Sequence, residues 1–170
     1  MGLDIFIYKT NNPDYYDEFN SYLNSDVNED FDYGEEVCYF RKLNMLIPFL
    51  SKTVGVDPET NISHAVPKNV FEKLIITIDE VLSYIPANTM LFIKNPSEGT
   101  TYDEYPYSNG MPADLAKKCA ELLPTQGGFF FGDTSYDIGY IWSLFEIKNK
   151  ISDLLKSFDE NCFYHFNFWW

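Results

Sequence analysis

The two ends of the chain constrain the fold more than anything between them. "GLDIFIYK" near the start sets Leu3, Ile5 and Ile7 against Asp4, Phe6 and Tyr8, the period of two that marks a β-strand. The closing "NCFYHFNFWW" repeats the pattern, with Cys162, Tyr164, Phe166, Phe168 and Trp170 on one face and Phe163, His165, Asn167 and Trp169 on the other. Both faces of both segments are largely apolar, so each strand needs cover on two sides and neighbours at its edges. A terminus as aromatic as "FWW" must be tied down. Residues 2–9 and 161–170 are therefore expected to lie centrally in one small, mainly antiparallel sheet.

The intervening residues read mostly as helices. Residues 12–25 open with Pro13 and form a short helix. From Glu35 to Val54, Val37, Phe40, Leu43, Ile47, Leu50 and Val54 recur every three or four positions, which predicts a helix bent at Pro48, with the Asn44 carbonyl left free. Pro67 opens a second helix carrying Val70, Leu74, Ile78, Val81, Leu82 and Ile85. "TMLFIK" (89–94) reads as a strand, Pro112 to Leu123 as a third helix, "GGFFFG" (127–132) as a strand, and the region from Ile141 to Phe158 as a long last helix. Residues 24–34 and 95–110 are polar, turn-rich loops, the second the more mobile by composition. The class is α+β, one domain over residues 1–170, a length that one core serves.

Composition narrows the function. Twenty-six acidic residues against twelve basic ones give a net charge of −14, which opposes nucleic acid and anionic membranes as direct partners. No stretch approaches the ~18–20 apolar residues of a membrane span, and the first residues lack a basic leader. A cytoplasmic protein is expected. Three cysteines without a CxxC pair read as free thiols, neither a disulfide framework nor a zinc site. No metal and no cofactor is called for, and no nucleophile stands beside a base in a known motif.

Polar residues in apolar surroundings are the site candidates. "GDTSYD" (132–137) reads first as a helix start, with Asp133 or Thr134 as N-cap and Asp137 in the first turn. A polar ligand cradle is the second reading and a metal site the third. Two carboxylates would repel a phosphate unless a cation compensates. Arg41, the single arginine, is that cation; on the expected helix it shares an edge with Asn44 and Pro48, where it either clamps an anion or pairs with Asp4 or Asp137. Asp4 and His165 interrupt the terminal strands and need partners if buried. Asp4, Arg41, Asn44, Tyr136, Asp137 and His165 make up the expected ligand-binding set, with no catalytic residue assigned.

The pieces "MGLDIFIY", "GEEVCYFRKLNML", "LLPTQGGFFFGDTSYDIGYIWSL" and the aromatic close resemble, in order and over nearly the whole chain, a family of small uncharacterised bacteriophage and prophage proteins. Its members begin MGLDMY and carry E-x-x-YWRK-x-N, GFFFGS-x-x-YD-x-x-Y and an FYY-x-SSW ending. Here Phe40 replaces the usual Trp, Asp133 the usual Ser, Gly139 a common acid, and "FNFWW" the SSW close. The resemblance implies an accessory protein acting against a host defence by sequestering a small polar or nucleotide-like ligand. Two alternatives accompany it: an acidic decoy that engages a host protein through residues 24–36 and 98–104, and a small hydrolase using Asp137 and His165. The matching polar positions are Asp4, Glu36, Arg41, Lys42, Asn44, Tyr136 and Asp137. A homodimer is left open.

Overall fold

The computed structural model describes residues 2–23, 31–55 and 64–169. The expected loop at 24–34 and the connection at 54–66 lie in part outside them. The described chain runs β1 (Asp4–Thr10), α1 (Tyr15–Leu23), β2 (Glu35–Arg41), α2 (Leu46–Val54), β3 (His64–Ala65), α3 (Lys68–Ser83), α4 (Ala87–Lys94), a 3-10 turn (Tyr102–Glu104), α5 (Ala113–Leu122), α6 (Ile138–Lys156) and β4 (Phe163–Trp169). It is an α+β fold.

The strands form one antiparallel sheet in the order β2-β1-β4-β3. The first and last strands are its two central members, as their two-faced character demands. In register, Ile5 opposes Phe168 and Ile7 opposes Phe166. On the other side Ile5 opposes Phe40 and Ile7 opposes Cys38. These side chains point to the face where Leu46, Phe71, Leu74, Leu144, Ile147 and Ile151 from α2, α3 and α6 complete the main core. Burying each such side chain is worth ~1.5–3 kcal/mol. On the opposite face, α1 lays Tyr15 over His165, ring centroids 4.1 Å apart, and Tyr15 and Phe19 pack on Phe31. A smaller apolar cluster of Ile85, Ile93, Ile138 and Ile141 seats α4 beneath the start of α6.

Three expected elements are corrected. Residues 35–54 are not one bent helix: β2 and α2 divide them, because Cys38 and Phe40 also satisfy the strand period and the free edge of β1 supplies a partner for it. Pro48 is the third residue of α2, in the first turn, where no intrahelical N–H is needed. It therefore frees no carbonyl; that of Asn44 accepts the Ile47 N–H at 3.3 Å. "TMLFIK" belongs to helix α4, started by Pro86 and burying Ile93 alone; an apolar run this short carries no decisive period. "GGFFFG" is a turn, closed by the Phe131 N–H on the Gly128 carbonyl at 3.2 Å.

The outer edge of β2 is closed to further strands. Register shifts between Ile7 and Tyr8, and Lys150 of α6 donates to the Tyr39 carbonyl at 2.7 Å while lying over the Phe40 ring. A bulge and a lysine are the usual protections of an exposed edge. No single helix among the described residues is long and apolar enough to cross a membrane.

Because β4 separates β1 from β3 and supplies Tyr164, Phe166 and Phe168 to the core, deleting residues 165–170 is expected to abolish cooperative unfolding. Circular dichroism melts check this. The milder Phe166→Ala should fold with a loss of about 3–5 kcal/mol in urea titration.

Candidate functional site

The "GFFFGDTSYD" segment crosses the end of the sheet and enters α6, and a latch holds it there. The Asn44 amide, buried in the turn after β2, donates to the carbonyls of Phe131 at 3.1 Å and Asp133 at 2.8 Å. From the chain's beginning, the Leu3 N–H donates to the Phe130 carbonyl at 2.9 Å. Gly132 makes the crossing possible: at φ +92° a Cβ there would lie 3.0 Å from Lys42 Cβ and 3.4 Å from the Lys42 carbonyl oxygen. Tyr136 ties the segment to its other neighbour, its hydroxyl accepting the Thr125 N–H at 3.0 Å. Tyr140 donates to the Leu123 carbonyl at 2.8 Å, and burial pushes its phenol far above the ordinary range.

Beneath this segment lies a cleft of about 200 Å³ lined by Lys42, Met45, Tyr102, Thr125, Asp133, Ser135, Asp137, Gly139, Tyr140 and Ser143. Asp137 is the N-cap of α6: one oxygen accepts the Tyr140 N–H at 3.1 Å, and the other faces the Tyr102 hydroxyl at 3.5 Å. The capping role expected of Asp133 or Thr134 thus falls to Asp137. Gly139 leaves space for that carboxylate, since a Cβ would sit 3.1 Å from it. Asp133 makes a turn of its own, accepting the Ser135 N–H at 2.9 Å and hydroxyl at 2.8 Å. Those two bonds hold its carboxyl below the usual carboxylate range. Desolvation, and then the charges of Asp137 and Asp133, raise the Tyr102 phenol.

The cleft's cation is Lys42. Its φ is +59°, a left-handed conformation that costs a side-chain-bearing residue of order 1 kcal/mol. Among the described residues it makes no ion pair within 4.0 Å. Both carboxylates, by contrast, are already partly engaged.

The six expected site residues divide into two groups. Asn44, Tyr136 and Asp137 meet at the cleft, two as fasteners and one in its lining. Asp4, Arg41 and His165 point from the opposite face of the sheet, as their register positions require. Arg41 stands on β2, so the shared helical edge with Asn44 and Pro48 does not exist. It pairs with Asp4 at 3.8 Å, while Tyr39 also donates to Asp4. Gly2 separates Arg41 from Lys42: its would-be Cβ lies 3.7 Å from Arg41 Nη2 and 3.3 Å from Lys42 Cε. His165 lies under Tyr15, and burial lowers its pKa to about 4. With the sheet between them, Asp137 and His165 form no hydrolytic pair. Among the described residues no group of three or more His, Cys, Asp or Glu side chains could hold a metal ion. Cys38 and Cys119 are buried thiols pushed up to about 11.

Sequence reasoning missed Tyr102, Thr125, Ser135 and Ser143. The Asp-x-Ser spacing of 133–135 and the i, i+4 pair Gly139–Ser143 were available signals; Tyr102 had none, because its loop reaches the cleft only through the tertiary fold. Compared with models of known protein families, with curated proteins and with solved structures, the chain finds no match in any of the three.

The latch and the cap should separate in stability measurements. Asn44→Ala removes a buried amide from two carbonyls and is expected to cost about 2–3 kcal/mol. Asp137→Ala is expected to cost about 1 kcal/mol and Asp137→Asn only a few tenths, since asparagine also caps; urea melts of the three variants check the order.

His165 titrates below its ordinary 6.5. The unfolded chain therefore binds the extra proton first, and this contribution to stability is complete above about 6.5 and lost as pH falls toward about 4. Melts of His165→Phe across that window should show a flatter acid limb than the parent.

Proposed function

We propose that the protein binds, without turnover, a small polyhydroxylated ligand of nucleotide-like chemistry at the cleft under the start of α6. The observation that carries this reading is Lys42, a cation free of ion pairs among the described residues, held in a left-handed backbone conformation where two carboxylates and several hydroxyls converge. Strain of this kind is tolerated where the surrounding structure demands a side chain in one place.

Each part of such a ligand has a matching group. The carboxylates of Asp133 and Asp137 accept from sugar hydroxyls, and Tyr102, Ser135 and Ser143 offer neutral donors. Lys42 takes an anionic substituent that the two acids would otherwise repel. At about 200 Å³ the cleft is smaller than the ~300–1,000 Å³ pockets that enclose a whole drug-sized ligand, so it admits one pentose-sized unit. The remainder would lie outside, against the half-exposed rings of Tyr102 and Trp142, which pack edge to face at 5.8 Å. The Asp133 carboxylate, which accepts the Ser135 hydroxyl, is held below its usual range and is a poor base for activating it, which favours binding over hydrolysis. The resemblance to phage accessory proteins supplies the setting we propose, the sequestration of a host signalling molecule.

Titration calorimetry with ribose 5-phosphate, a nucleoside monophosphate and glucose tests the reading. Binding of the first two and not of glucose is the expected result; no heat with any of them counts against it. Lys42→Gly should relieve backbone strain and raise stability by about 1 kcal/mol, yet weaken binding roughly tenfold or more through loss of a charged hydrogen bond. Tyr102→Phe should weaken binding without moving the melting temperature.

A further inference from the structure

We propose that the end of the sheet around Phe129 is a self-association surface, occupied in solution by a second copy of the chain. Phe129 is 94% exposed, although phenylalanine is among the side chains that gain most from leaving water. The turn beneath it is rigid. Phe130 gives its carbonyl to Leu3, Phe131 is buried with its carbonyl held by Asn44, and Gly128 has no room for a Cβ, which would lie 2.7 Å from the Phe131 ring. An aromatic ring presented on a fixed support pays little ordering entropy on association.

The surroundings match. Trp169, 52% exposed, and Arg41, whose side chain is 59% exposed, both stand opposite Asp4 in register, on either side of β1. Gly2 and Leu3 join that position to Lys42 and to the Phe130 carbonyl, so all of these groups share one end of the sheet. Trp and Arg dominate interface hot spots, and aromatic residues are enriched at interface cores.

Charge identifies the occupant. Arg41 and Lys42 stand at this end with Asp4, Asp133 and Asp137, two cations with three anions, in a chain of twelve basic and twenty-six acidic residues. A basic partner would be drawn to the acidic remainder of the surface. A second copy meets less repulsion at this end than the overall charge would give, and a two-fold axis there sets Arg41 of one protomer against a carboxylate of the other. An anionic bilayer fits less well, since polybasic anchoring uses clusters of about 4–8 cations.

Sedimentation equilibrium up to about 1 mM tests this, a range that detects even weak dimers. The expected result is a mass that rises with concentration toward twice the 19.8 kDa of one chain. Phe129→Ser and Arg41→Glu should each weaken association roughly 30-fold or more, and Phe129→Ser should melt as the parent does. A single-chain mass at every concentration overturns the proposal, as does a dimer that neither substitution weakens. Co-sedimentation of a monomeric parent with phosphatidylglycerol vesicles, lost in Phe129→Ser, overturns it in favour of a membrane contact.

Discussion

The pairing of β1 with β4 is the interaction on which the remaining structure depends. It joins Asp4–Thr10 to Phe163–Trp169 over seven residue pairs, the two ends of the described chain. Neither face of the sheet exists without it: Ile5, Ile7, Phe166 and Phe168 present one surface to α2, α3 and α6, and His165 presents the other to α1. A contact of such sequence separation carries a large loop-closure cost before it returns anything. The helices between the strands must therefore be stable enough locally to shorten that search. The same pairing fixes Leu3 at the rim, and Leu3 holds the Phe130 carbonyl. The cleft is thus a consequence of how the ends meet.

Elements with one unambiguous period were readable in advance. The terminal strands, α3 behind Pro67, and α6 with its long apolar stripe all have one. The 35–54 stretch has two, because Val37, Phe40, Leu43 and Ile47 follow the helical spacing while Cys38 and Phe40 follow the strand spacing. Only the unpaired edge of β1 decides between them, and that edge is a tertiary fact. "TMLFIK" is undecided for a different reason. Its apolar residues are not mostly buried; Ile93 reaches Ile138 and Ile141, while Leu91 stays exposed. Only Ile93 is buried, with Met90 half-buried beside it, and two inward residues are too few to show a period.

The same ambiguity governs the site. Asp137 was legible from the helix start in "GDTSYD", the stretch that also holds Tyr136, whereas Asn44, buried with its amide on that stretch, was reached through a helical edge that does not exist. Arg41 was placed wrongly through the helix assigned to it. Adjacent residues at a strand end diverge, so Arg41 turns to one face of the sheet and Lys42, through its left-handed backbone, to the other side of Gly2. No local signal announces a lysine at positive φ. It follows from Gly132 and its approach to Lys42, a contact between residues 90 positions apart.

Electrostatics then limit how the cleft can select. The first N–H groups of α6 and Lys42 contribute positive potential, while Asp133 and Asp137 contribute negative. Asp137 spends one oxygen on the helix and Asp133 one on Ser135, so each carboxylate keeps an acceptor for a ligand with its charge partly compensated. The field in the cleft is close to balanced, and it would neither attract a polyanion nor exclude a singly charged group. Discrimination must come from where hydroxyl donors and acceptors fall, which is directional, and hydrogen-bonding sites reject an analogue lacking one polar group far more strongly than apolar sites reject a missing methylene. A ligand with hydroxyls on one edge and a single anionic substituent on the other satisfies that arrangement, whereas a neutral sugar would leave Lys42 unpaired and a bare phosphate would leave both acids facing it.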